Sequence, residues 1–204
     1  MSASSTIIES IDSMRRSGLA SLAFFYCDFR EDEKNDLRGL LSSLLVQLCH
    51  QSDSSYQILS DFYSEHAGAS QYPRDDTFVR CLKEILKASG QAPVYLIVDG
   101  LDECSNTSAL PSPRQNILKF LKDLIDSQFP NLRICVTSRT ETDIKRVLRP
   151  LAFRSISLHD EGGQIEDIEK YIRSVVNTDL EMQRWTPADR EMVIDVLIKK
   201  SDAM

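Results

Sequence analysis

Apolar residues in this chain form two kinds of pattern, stripes spaced three and four apart and short unbroken runs, and the two kinds take turns. Stripes predict amphipathic helices, and short runs bounded by turn residues predict buried strands. Ile7, Ile8, Ile11 and Met14 share one helical face, so a helix is expected over about 5–16, ended by Gly18. Leu19 to Phe29 is dense in aromatic and aliphatic residues and reads as the first strand, followed by a charged loop from Arg30 to Lys34. Leu37, Leu40, Leu41, Leu44, Leu45 and Leu48 then make the cleanest stripe, with Asn35 or Asp36 placed to cap it. A stripe of only three turns is short for a partner-binding seam, which favours burial against a sheet.

Residues 51–90 read as two further helices around the loop Gly68 to Arg74, the second carrying Phe78, Leu82, Ile85 and Leu86. A break at Gly90 to Pro93 precedes the run Val94-Tyr95-Leu96-Ile97-Val98, which ends in Asp99-Gly100-Leu101-Asp102-Glu103-Cys104. Ser112-Pro113-Arg114-Gln115 supplies a cap, a proline in the first turn and a glutamine three residues after the cap. Ile117, Phe120, Leu121, Leu124 and Ile125 give that helix its buried face. Leu132 to Thr137 is a third strand, a short helix follows over about 141–148, and Arg154 to Leu158 reads as a short fourth strand. Two more helices begin near Gln164 and at Thr186-Pro187. Strands separated by helices predict an α/β fold with a parallel sheet.

Composition changes this picture little. A length of 204 residues suits one domain or one domain plus part of another, and 42% hydrophobic with 27% charged residues is ordinary for a globular protein. A net charge of −7 argues against a nucleic-acid backbone as the main partner, which requires a basic face. The five cysteines, Cys27, Cys49, Cys81, Cys104 and Cys135, include no CxxC pair, so reduced thiols are expected rather than a zinc site. The start of the chain lacks a signal-peptide pattern, and no run of about 18 apolar residues predicts a membrane span. These features predict a cytoplasmic chain with no membrane partner.

Candidate chemistry sits at two strand ends. Ligands of parallel sheets gather at the carboxyl ends of the strands. Carboxylates at such an edge suit a hard cation that also holds phosphates. Asp99, Asp102 and Glu103 follow the second strand in this way, although Asp and Gly also simply form turns. Thr137-Ser138-Arg139 follows the third strand and brings hydroxyls and a guanidinium, whose planar donor fork suits phosphate oxygens, to the same edge. No glycine in the chain is followed by lysine, so a phosphate-cradling GxxxxGK[ST] loop is missing. His50, His66 and His159 have no metal-ligand spacing, and Ser138 lacks the setting of a hydrolase nucleophile.

On three segments the chain resembles the NACHT domain of fungal STAND-type P-loop NTPases, in the nephrocystin-3-like N-terminal group. They are Leu22 to Phe29 with the leucine helix after it, Val94 to Cys104, and Leu132 to Arg139 with Asp143-Ile144. The stretch Phe153 to Tyr171 continues the likeness, while Thr140 stands where such proteins often have proline. The resemblance implies a three-layer α/β fold, a parallel sheet with helices on both faces, in the strand order 5-1-4-3-2. The first central strand and the Walker A loop that it feeds are lacking.

Carried over, Asp99 becomes the Mg²⁺ residue of a Walker B segment, Asp102 or Glu103 the general base, and Thr137 and Arg139 the sensor that meets ATP. Residues 1–160 become a partial NTPase core and 161–204 the start of a helical lid region. The expected function is a fragment of a signalling NTPase that binds ATP weakly or not at all and does not hydrolyse it alone. The alternative is a non-catalytic module that associates with itself or with full-length NACHT relatives. A sheet lacking a central strand is also expected to expose an edge and to leave the isolated chain marginally stable or prone to aggregate.

Overall fold

The computed structural model describes residues 3–30, 35–66, 73–88, 92–107, 111–157 and 163–201. Its described elements fall into two compact units, residues 1–152 and 153–204. The first contains α1 (Ala3–Arg16), β1 (Ser21–Tyr26), α2 (Leu37–Cys49), α3 (Asp53–His66), α4 (Asp75–Lys87), β2 (Val94–Asp99), α5 (Pro113–Asp126), β3 (Leu132–Val136) and α6 (Thr142–Leu148).

The three strands are parallel and lie in the order β1-β2-β3, with Val94 of β2 level with Ser21 of β1 and Leu132 of β3. This is the adjacency expected for the second, third and fourth strands of the implied order. Strand alternation sends Ala23, Leu96, Val98, Ile134 and Val136 to one face, where they join the buried leucines of α2 and the apolar faces of α4 and α5. Leu22, Phe24, Tyr95, Ile97 and Cys135 point to the other face, against Ile7, Ile8, Ile11 and Met14 of α1. Helices therefore cover both faces, thickly on one and by α1 on the other. Both strong caps are where the sequence places them. Asp36 accepts from the Gly39 N–H, and Ser112 and Gln115 close a reciprocal capping box. The leucine stripe is core: Leu40, Leu41, Leu44, Leu45 and Leu48 are all buried.

The two edges of the sheet differ. At β1 the outward N–H and C=O groups belong to Leu22, Phe24 and Tyr26, and two side-chain amides occupy those of Leu22 and Phe24. Gln51 receives the Leu22 N–H at 2.9 Å and donates to its carbonyl at 2.6 Å; Gln47 does the same for Phe24 at 3.1 and 2.7 Å. At β3 the odd residues bond to β2, as Thr137 N–H does to the Val98 carbonyl. Its even residues face outward. Arg133 donates to the Leu132 carbonyl at 2.8 Å, but among the described residues nothing bonds to the outward groups of Ile134 and Val136.

The fourth strand is not formed. Arg154 to Ser157 are exposed and without regular structure, and Leu158 lies outside the described residues. The segment alternates one apolar residue, Ile156, with polar ones, and a strand without a neighbour or a buried face has nothing to hold it. The second unit holds α7 (Gly163–Thr178) and α8 (Pro187–Ser201), which meet around Val176 and Ile194, with Arg173 bridging Glu169 and Glu191. Thr186 caps α8 by accepting the Asp189 N–H. His159 lies outside the described residues. No helix among the described residues is long and apolar enough to cross a membrane.

Candidate functional site

All five residues singled out in the sequence stand at the carboxyl edge of β2 and β3. Asp99 is the last residue of β2, and Gly100 follows with φ +67°, the left-handed conformation that glycine adopts without strain. That turn leads into a single 3₁₀ turn, Leu101–Glu103, with Leu101 fully buried as its anchor. The Leu101 N–H donates to the Thr137 carbonyl at 3.0 Å, which fixes the acidic turn against the segment after β3.

Two cross-strand pairs result. The Thr137 hydroxyl donates to Asp99 Oδ1 and accepts the Gly100 N–H at 3.0 Å. The backbone N–H of Arg139 donates to Asp102 Oδ1 at 2.8 Å, and its guanidinium Nε lies 3.6 Å from Asp102 Oδ2. Asp102 is nearly buried while the Arg139 side chain is 87% exposed, so the guanidinium is tethered at one end and faces solvent. Asp102 is thus committed to Arg139. The Glu103 carboxylate, by contrast, takes part in no ion pair or hydrogen bond among the described residues, and it is the free acid of the cluster.

Sequence reasoning missed the groups that hold this turn from behind. Arg114, in the first turn of α5, is buried; its Nε donates to the Cys104 carbonyl at 3.0 Å and its Nη2 to the Asp102 carbonyl. Its Nη1 stands 3.6 Å from Asp143 on α6, so the buried cation faces a carboxylate. The capping box around Ser112 drew attention to helix initiation, and nothing in the local pattern marks Arg114 as buried. Asn35 is also buried: its Nδ2 donates to the Glu103 carbonyl and its Oδ1 receives the Cys104 thiol, both at 3.0 Å. The neighbouring Cys104 thiol and burial push the Cys27 thiol well above its ordinary value. Cys27, with Arg114 nearby, draws the Cys104 thiol below its own.

The donor set has one hard carboxylate, Asp99, with an oxygen left over after its bond to Thr137, and a second, Glu103, nearby. No cluster of three or more metal-ligating side chains exists among the described residues. Such a set fits Mg²⁺ held jointly with phosphate oxygens, which commonly uses only one or two carboxylates, and not a cation caged by protein alone.

An open parallel sheet with acids, a hydroxyl and a tethered guanidinium at its carboxyl edge defines an α/β protein with a polar rim at the edge where ligands of such sheets gather. The family described as Nephrocystin 3, N-terminal matches residues 2–139, more than half of the chain, and the chain belongs to that family. Asp99, Asp102, Glu103, Thr137 and Arg139 all fall within the matched span. No curated protein and no solved structure matches the chain.

Proposed function

We propose that this chain carries the acidic and sensor half of a nucleotide-phosphate site, in the manner of a NACHT-type signalling NTPase. By itself it binds Mg-ATP weakly or not at all and does not hydrolyse it. The observation that supports this reading is the pairing of Asp99 with Thr137 and of Asp102 with Arg139 across two neighbouring strand ends. In this reading the free Asp99 oxygen holds Mg²⁺, which when bound neutralises phosphate charge. Glu103, with its uncommitted carboxylate, is better placed than Asp102 to accept a proton from water. The exposed end of Arg139 reaches toward phosphate oxygens while Asp102 fixes its backbone. Without a lysine-bearing glycine loop, the β- and γ-phosphates lack their main donors, so affinity is low. The five free cysteines support a reducing, cytoplasmic setting.

Calorimetric titration with Mg-ATP tests the reading. No saturation in the micromolar range and no phosphate release are expected; micromolar binding abolished by Asp99→Asn would overturn it. The open edge of β3 supports a second reading, a module that associates with full-length relatives by strand addition. Pull-down of such a relative that is lost on Val136→Pro is its expected signature, and no association counts against it.

A further inference from the structure

No residue of β3 is fully buried, whereas most of β2 beside it is. The outward backbone groups of β3 fall into two sets. The Leu132 N–H donates to the Phe129 carbonyl at 3.2 Å and the Leu132 carbonyl accepts Arg133 at 2.8 Å, so that residue is closed. Ile134 and Val136 each leave an N–H and a C=O without a bond among the described residues. Such alternate donors and acceptors on one strand are complementary to a second strand of the same kind. At the opposite edge, Gln47 and Gln51 already occupy the groups of Phe24 and Leu22.

We propose, resting on the open-edge reading of β3 given above, that its occupant is β3 of a second copy of this chain. The two strands run antiparallel about a two-fold axis at Cys135, and association stops at the dimer. In an antiparallel pair, opposite residues exchange both backbone bonds at every second position. With the axis at Cys135, Ile134 faces Val136 of the second copy and Val136 faces its Ile134. Every open group of both strands is then used, and no occupied one is needed. An axis at Ile134 would instead require the Leu132 groups that Phe129 and Arg133 already hold. A contact of one patch with its own copy closes on itself. The joined sheet ends on both sides at a β1 held by glutamines, which leaves no second open β3 edge for growth.

The side chains agree with this register. Residues directly opposite in a pair share one face of the sheet. Arg133 stands opposite Thr137 of the second copy, the residue whose hydroxyl bonds Asp99. A cation therefore meets the acid-bearing end of each partner strand, and no like charges oppose each other. Arg133 also keeps the Leu132 carbonyl occupied, which disfavours the register centred on Ile134. Cys135 meets Cys135 of the second copy in a non-hydrogen-bonded pair. On that face α1 seats Ile11 against Leu22 of β1 and Ile97 of β2, away from the open edge. Arg133 is left exposed and Cys135 half-buried. One short ladder makes a small contact, so the dimer fills only as concentration rises.

Sedimentation equilibrium of the full 204-residue chain is expected to show monomer passing to dimer, and nothing larger, as concentration rises. A monomer throughout, or a series that grows past two, would overturn the proposal. Diamide added to the dimer is expected to link Cys135 of one copy to Cys135 of the other, as mapped by mass spectrometry. Their Cα atoms stand about 4.5 Å apart in such a pair, within disulfide reach. A dimer linked through another cysteine, or not linked, would refute the register. Val136→Pro removes a ladder donor and is expected to weaken the dimer about tenfold and abolish the link. Slow exchange at the Leu22 and Phe24 amides verifies that this variant is folded, and undiminished pairing of the folded variant counts against the proposal. The parent chain gives a second measurement: exchange at Ile134 and Val136 is expected to be fast at dilution and to slow as the dimer fills, and fast exchange within the dimer would overturn it. A monomeric chain that still captures a full-length relative would reject self-pairing while leaving strand addition standing; a dimer that captures none supports self-pairing alone.

Discussion

The two edges of the small sheet solve the same problem differently. Both flank β2, both carry outward backbone groups, and both strands are short. At β1 two glutamines four residues apart stand in for a missing strand, each presenting an acceptor and a donor to one residue's N–H and C=O. At β3 the Leu132 N–H is met by the Phe129 carbonyl and its C=O by Arg133, while Ile134 and Val136 are left open among the described residues. A protected edge needs no partner; an open one is a template for another strand. The open edge is also the one beside Thr137 and Arg139, so the sheet stops on the side where half of the proposed site stands.

Removing the glutamine plug should be the largest way to break this contrast. Gln51→Leu and Gln47→Leu each leave a β1 donor and acceptor unpaired, at about 1–3 kcal/mol per buried group. Gln51→Leu is expected to cost more, because Leu22 is buried and Phe24 only half-buried. Urea denaturation of the single and double variants measures this. Proline separates the edges next. Phe24→Pro deletes an N–H that Gln47 accepts, whereas Val136→Pro deletes one that nothing accepts. Phe24→Pro should therefore be the more destabilising. Val136→Pro should raise the concentration at which light scattering reports aggregation, since proline at an edge blocks strand addition. A parent chain that already unfolds cooperatively and stays monomeric at high concentration would contradict the expected tendency to associate. Arg133→Ala is the smallest change: its side chain is exposed, so stability should shift within about 0.5 kcal/mol while scattering onset falls.

Much of the first unit was legible because its signals are local. The unbroken run before Asp99, the leucine stripe and the caps at Asp36 and Ser112 each declare an element within a few residues. The five candidate residues could be grouped because a parallel sheet collects strand ends at one edge. Residues whose role depends on distant partners were not legible. Gln47 and Gln51 read as polar positions bordering an apolar helix until β1 is placed beside them. Arg114 lay inside a capping motif that explained its neighbours, and Asn35 was weighed only as a cap, a task that falls to Asp36. The fourth strand failed for the complementary reason: a short alternating segment was read by pattern alone, without a neighbour to pair with or a core to cover.

Amide hydrogen exchange resolved by residue tests the central contrast most directly, since both edges are measured in one molecule under one condition. The account predicts slow exchange at Leu22 and Phe24, whose N–H groups are held by Gln51 and Gln47, and fast exchange at Ile134 and Val136. Equal protection at the four amides would contradict it, and would mean that something covers β3 as fully as the glutamines cover β1.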